Sequence, residues 1–459
     1  MKFFASIINY LCLCTFLLAG SNDIIGQYNP NSVYSRFGLG MIDNPGNVVH
    51  FGMGGITSPV SDPVALNLSN PASYSFLEVT NLQTTVKGAY ISSTGATAAT
   101  NYLNGQIHEL SMGFKKPTSK WGIAMGITPY SSVDYRFSSK DTLSDTLTAT
   151  YNYTGRGGIN RATLGVSRVF KLGGQDSVSR RVHQISIGLN GNYLFGNIVR
   201  ENVAAFNQSE HYTTVENHNL WVKGLSWEAG LQYKVNLTTR RDPQNRIVGG
   251  SALQLGLTYS LNTDLSAEYT ELLYSIRFIS NIAFRDTARF LDALDGRLII
   301  PQKIQAGAAY KVYHKKWGSF LLAGEYKLQD WSLYRLELAE DVNLDEGLNA
   351  SQGWAAGLEY KPATDANNNF FNRLNYRVGY RSYASELTLN NTRIVQEATT
   401  AGISVPFVRS QSKFHIGAEW GTRGTREAGL VEEKYFGFMV GLSLSPSSFD
   451  RWFRQVKYD

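Results

Sequence analysis

Hydrophobic residues fall on alternate positions through most of this chain, the signature of strands with one apolar face. In 184–195, Ile185, Ile187, Leu189, Tyr193 and Phe195 oppose Gln184, Ser186, Asn190 and Asn192. In 227–237, Trp227, Ala229, Leu231, Tyr233, Val235 and Leu237 oppose Glu228, Gln232, Lys234 and Asn236. The runs 254–261 and 436–445 repeat the pattern, with Leu255, Leu257, Tyr259 and Leu261 in the first and Phe436, Phe438, Val440, Leu442 and Leu444 in the second. Fourteen candidate strands are readable, near 80–92, 106–115, 119–131, 160–171, 182–196, 225–237, 251–262, 302–313, 318–329, 352–361, 371–383, 398–405, 412–423 and 433–445. They are long for an ordinary soluble sheet, and their second face is small and polar, which suits a lumen.

An even number of antiparallel strands can close into a barrel with both ends on one side. Aromatic residues near strand ends (Trp121, Trp227, Trp354, Tyr360, Tyr380, Trp420 and Tyr435) match the girdles such barrels place at the membrane boundary. The connections support the same reading. Those after the second, eighth and twelfth strands are brief, whereas 132–159, 197–224, 263–301 and 330–351 are long. Short turns on one side and long loops on the other predict an outer-membrane barrel with its N-terminus in the periplasm. A β-sandwich shares the alternation but has no reason to show this asymmetry.

The ends add a compartment. Met1 and Lys2 precede an apolar run that ends in small and polar residues, so 1–27 reads as a secretory signal peptide. Both cysteines, Cys12 and Cys14, lie within it, leaving the mature chain without a disulfide or a thiol site. The formal charge of +6 over 459 residues does not point to nucleic acid. The remainder divides into a plug segment at 28–78, a barrel at 79–445 and a periplasmic tail at 446–459.

The segment 28–78 is irregular, punctuated by Gly and Pro, and too apolar for a free tail, so the barrel interior is the simplest place to bury it. Its Gly-rich FGMGG (51–55) and SDPVALNLSNPASY (61–74) resemble the hatch of FadL-type outer-membrane proteins. The last sixty residues resemble divergent FadL-like proteins of the Bacteroidota. The resemblance implies a fourteen-stranded barrel plugged by an N-terminal hatch. Its Asn-Pro-Ala element would be Asn70, Pro71 and Ala72, with Asn67 just before it. It also implies passive transport of long-chain fatty acids or other hydrophobic compounds. The charged, aromatic tail SFDRWFRQVKYD departs from barrels that end on an aromatic, and relatives of this kind also serve in envelope secretion or assembly machines.

No nucleophile, phosphate-loop or metal-ligand motif stands out, and the seven histidines are scattered. No cofactor and no enzymatic activity are expected. Lumen-facing charges are the better candidates. Alternation points Arg377, Arg381, His415, Glu419 and Arg423 inward, with Glu325, Lys327, Glu359 and Lys361. They read either as a cationic anchor for a substrate carboxylate, with Arg377 and Arg381 foremost, or as an ion-pair network that holds the hatch. Pro129 interrupts the third strand and marks either a kinked, laterally opening wall, as in FadL-type proteins, or the strand's end. The link 263–301 carries Leu272, Leu273, Ile276 and Phe290, among others, and reads as a capping amphipathic helix or an extra strand pair. The expected function is passive uptake of hydrophobic compounds across the outer membrane. The expected partners are membrane lipid and a hydrophobic small molecule. The alternative is a non-transporting barrel subunit with an envelope-complex protein partner.

Overall fold

The computed structural model describes residues 32–445, except 44–45, 96–98, 117, 173–181, 209–210, 245–246, 280–281, 340–342, 345–346, 363–368 and 408–409. The leader at 1–27 and the tail at 446–459 lie outside the described residues. No described helix is long and apolar enough to cross a membrane. Fourteen antiparallel strands form the wall. They are β1 (Asn81–Thr94), β2 (Ala99–Phe114), β3 (Trp121–Thr142), β4 (Thr148–Leu172), β5 (His183–Phe206), β6 (Thr213–Arg241) and β7 (Ile247–Ser260). The second half comprises β8 (Lys303–His314), β9 (Gly318–Asp330), β10 (Ala350–Lys361), β11 (Asn375–Leu389), β12 (Thr392–Pro406), β13 (Lys413–Arg423) and β14 (Glu432–Leu444). Each pairs with the next, and β14 pairs with β1 from Glu432↔Thr94 to Leu444↔Leu82, which closes the barrel. Closure joins the first strand to the last, so that the ring has no free terminal strand, the condition for a sheet to cross lipid.

The outer surface carries an apolar band. Leu103, Ile107, Ile127, Leu164, Ile187, Leu225 and Leu322 are all exposed, a ruinous arrangement in water and the expected one in a bilayer. Trp121, Trp227, Trp354 and Trp420 are about half exposed on the same surface. Tyr435 corrects the girdle expectation. It is buried and points inward, because it is one residue out of phase with outward Phe436 and Phe438.

The long links are also corrected. Much of 132–159 and 197–224 is strand, since β3 to β6 run for 22, 25, 24 and 29 residues, whereas crossing the bilayer takes about 9–11. The link 263–301 is the bland alternative, a strand pair (Thr263–Ile279 and Ile282–Ile300) laid against the upper part of β6. The cause is an inversion of phase along each tall strand. The inner face of β5 is Ser186, Asn190 and Asn192 low down, then Leu194 and Ile198. Its outer face is Ile187, Leu189, Tyr193 and Phe195, then Asn197 and Glu201. Above the membrane the wall turns its apolar side inward. There Val133, Tyr135, Ile159, Leu220, Val222, Leu265 and Leu298 build a core with Tyr34, Leu39 and Trp331 that fills the tall mouth.

Below that core, residues 46–78 lie against the inner wall. Met53, Ile56, Leu66, Ala72 and Tyr74 are fully buried there; Met53 and Ile56 cluster with inward Ala309 and Ala355, Leu66 and Tyr74 with Ala124, and Val48 and Phe51 with Met439.

Candidate functional site

The irregular front segment satisfies its backbone through side chains, its own and the wall's. Asn67 Nδ2 donates to the Thr57 and Val60 carbonyls at 2.8 and 3.0 Å, and its Oδ1 accepts from Ser69 N. Asn70 Nδ2 donates to Ser58 O at 2.7 Å, while its Oδ1 caps the 3₁₀ turn Pro71–Phe76 through Ala72 N. Proline at the first position of that turn needs no N–H partner. Ala72 O accepts from Ser186 Oγ of β5 at 2.7 Å, and Leu68 O accepts from Asn190 Nδ2. Glu325 of β9 accepts the Thr57 and Ser58 amides at 2.8 and 2.5 Å.

Inward glycines let the segment approach. A Cβ on Gly256 would stand 1.9 Å from the Ser58 carbonyl oxygen, and one on neighbouring Gly307 would stand 2.7 Å from Pro59 Cδ.

The five inward residues singled out from the sequence are all placed inside the wall, but on two levels. Arg377 is 3 % exposed and pairs with Glu359 at 2.6 Å while donating to Ser404 Oγ. From there the chain of bonds runs Ser404 to His415 Nδ1, His415 Nε2 to Ser443, Ser443 to Gln83, and Gln83 Nε2 to Leu66 O. Because Ser443 donates to Gln83, it accepts from His415 Nε2–H, and the network ends on the front segment. Arg381 and Glu419, 2.5 Å apart, sit elsewhere and line a cavity that Arg423 also reaches. Arg423 pairs with Glu433, which accepts from Ser32 Oγ and Val33 N. The structure therefore parts Arg377 from Arg381, which alternation alone grouped together. Arg377→Ala is expected to loosen the front segment, read as faster hydrogen exchange at Leu66, without altering ligand affinity. Arg381→Ala is expected to change ligand affinity and leave Leu66 protected.

The cavity, about 210 Å³, lies between the front segment and the apolar core of the mouth. Met41, Ile42, Phe51, Ile91, Leu387, Ile394 and Met439 supply apolar lining, against the polar pairs Arg381–Glu419 and Lys87–Asp43. Buried His50, in the helical turn Val48–Phe51, is pushed by its burial down to about 4 and stays neutral.

Next to this cavity the wall changes. β2 and β3 pair only from Leu110↔Ile127 to Phe114↔Ile123 among the described residues. Above that, β3 passes a bulge between Pro129 and Ser131 and pairs with Met41–Ile42 of the front segment. Pro129 therefore bends the strand and does not end it. Asp43 closes the breach. Its N–H donates to Tyr130 O of β3 at 3.0 Å, and its carboxylate takes Lys87 of β1 at 2.9 Å and Gln106 of β2 at 3.3 Å. Burial works to raise the Asp43 pKa, but Lys87 and the other neighbours outweigh it and hold the carboxyl below its usual range. Sequence reading missed Asp43, Lys87 and Gln106. A lysine on the inward row of β1, beside the exposed row Leu82, Val86 and Tyr90, was the available signal.

A closed fourteen-stranded wall, a membrane-facing apolar band and a lumen packed by the chain's own N-terminal segment define a FadL-like β-barrel of the outer-membrane class. Within that class the chain belongs to the BamG family, whose model matches residues 7–459. Among solved structures it is similar to the toluene transporter TbuX of Ralstonia pickettii. That similarity covers 88% of this chain and 99% of TbuX, with 11% identity and a TM-score of 0.54. It is also similar to a deletion mutant of the monoaromatic hydrocarbon channel TodX, with 15% identity, a TM-score of 0.53 and coverage of 87% and 99%. At these identities the likeness concerns the fold. No curated protein matches the sequence. Among the described residues, no group of three or more His, Cys, Asp and Glu side chains could hold a metal ion.

Proposed function

We propose that the protein admits small hydrophobic compounds across the outer membrane, with residues 28–78 acting as a hatch and the N-terminus in the periplasm. The observation that carries this reading is the breach between β2 and β3 beside a largely apolar cavity. A ligand leaving through it would enter lipid and never cross water. The cavity also bears on ligand size. An engineered apolar cavity of ~150 Å³ holds benzene, so about 210 Å³ suits a single ring or a short alkyl segment better than a whole long-chain fatty acid. The Arg381–Glu419 and Lys87–Asp43 pairs would orient a polar end. The process is passive and involves no covalent step.

Pro129→Ala is expected to straighten β3, extend its ladder with β2 and slow uptake of a radiolabelled monoaromatic compound into cells. Unchanged uptake in a correctly inserted variant would remove this breach as the exit.

A second reading, a non-transporting subunit of an envelope complex, is favoured by the apolar core that fills the tall mouth. Purification from outer membranes in mild detergent, with analysis of bound small molecules and of protein partners, separates the two. A specific lipophilic ligand on a monomer supports uptake; a stoichiometric protein partner with no such ligand supports the subunit.

A further inference from the structure

The rim of the barrel where the short turns lie, at the corner made by β2, β3 and β4, carries cations that the proposed function does not use. Lys116, Lys120, Arg168 and Lys171 are exposed there, and among the described residues none of them forms an ion pair. Arg168 belongs to the outward row of β4, with Leu164, Val166 and Phe170, all exposed. Its guanidinium stacks 5.0 Å from the Trp121 ring and 5.1 Å from the Phe170 ring. Lys120 is fixed beside it, because its carbonyl accepts the Val169 amide at 3.0 Å. Lys115, which donates to the Ser75 and Trp121 carbonyls, has its pKa lowered by burial and then by Lys171, with no acid to offset them. Other short turns of this rim add exposed Arg240, Lys315 and Lys316, and aromatic Trp317.

A guanidinium on the lipid-facing row has lipid as its neighbour, not the lumen and not bulk water. Such a charge is costly at mid-bilayer and tolerated near the interface, where an aromatic ring also sits well. The counter-charge available at that depth is a headgroup phosphate, which suits a planar guanidinium bidentately. We infer that the Trp121–Arg168–Phe170 corner, with Lys116 and Lys120, is a binding site for anionic phospholipid headgroups that holds the barrel at its short-turn boundary. The site is independent of whether the cavity carries a ligand.

The test is native mass spectrometry of the full barrel in mild detergent, titrated with phosphatidylglycerol or phosphatidylcholine. The wild type is expected to retain phosphatidylglycerol in preference. Arg168→Gln should cut that preference about fivefold, and Arg168→Gln with Lys120→Gln further, since each cation near an anionic surface contributes a factor of that order. Heat-modifiable migration on gels confirms that each variant is folded, and Arg168→Lys, which keeps the charge but loses the planar fork, should fall between the wild type and Arg168→Gln. Equal retention of both lipids, or a preference unchanged in the double variant, would overturn the site. So would displacement of phosphatidylglycerol by millimolar inorganic phosphate, which would mark a free-anion site, or capture of an acidic protein at these cations without any lipid preference.

Discussion

Gly256→Val is expected to displace the N-terminal segment from a barrel that still closes. Gly256 of β7 and Gly307 of β8 stand opposite one another in the ladder and form the groove that receives Ser58 and Pro59. Even a methyl at Gly256 would stand 1.9 Å from a backbone oxygen, and neither the ladder nor the carbonyl can yield that much. Overpacking a well-filled interior costs roughly 1–3 kcal/mol when side chains can adjust, and here the obstacle is backbone. The wall ladders are untouched, so heat-modifiable migration should persist. Protease should then cut within 56–78, and the barrel should conduct ions in a planar bilayer. Gly105→Val, whose new Cβ meets only the Lys87 carbonyl at 3.9 Å, should do neither. Protection of 56–78 in Gly256→Val would show that the segment is held without this groove.

Glu325→Ala is expected to release the same segment by an electrostatic route. The carboxylate is fully buried, accepts the Thr57 and Ser58 amides and pairs with Lys327 at 3.2 Å. Removing it strands the two buried amide donors and takes the acid away from Lys327, which keeps the Gly55 carbonyl. Breaking a buried ion pair costs about 3–5 kcal/mol, so exchange of the amides at 55–58 should rise roughly a hundredfold to several thousandfold. Glu325→Gln keeps an acceptor but loses the charge, and should fall between. Unchanged exchange in Glu325→Ala would mean that the polar anchors at Gln83, Ser186 and Asn190 suffice. The two variants act on one loop, so their effects should not add.

The wall was legible because its membrane-level half obeys one rule. Leu189 out and Asn190 in, or Trp420 out and Glu419 in, is a period-two pattern that nothing but a strand produces. The upper half obeys the opposite rule. Where Leu194 and Ile198 turn inward, the pattern slips by one residue and the strand reads as a loop, so the tall parts of β3 to β6 escaped notice. Tyr435 differs for the same reason of phase, since proximity to a strand end places an aromatic at the boundary only when its parity also faces lipid. The inward set of Arg377, Arg381, His415, Glu419 and Arg423 was readable as a set. Its division into a network under Leu66 and a cavity lining was not, because the two levels differ in height along the barrel, which alternation does not encode. Asp43 was invisible for a different reason. Its partners Lys87, Gln106 and Tyr130 come from three strands, and only the breach between two of them brings all three to one residue, the first two to its carboxylate and the third to its backbone N–H.

The seam between β14 and β1 sets an order of events during biogenesis. Asn81, the first residue of β1, donates from Nδ2 both to Val64 O of the interior segment and to Ser445 Oγ just past β14. The last stitch of the ring is thus tied to the chain that the ring encloses. A segment with Tyr74, Met53 and Leu66 already buried cannot be threaded through a finished, glycine-grooved wall whose tall mouth is packed with apolar side chains. It is expected to be seated while the ring is still an open, curving sheet, so that residues 46–78 wait, compact and incomplete, for the last strand to arrive.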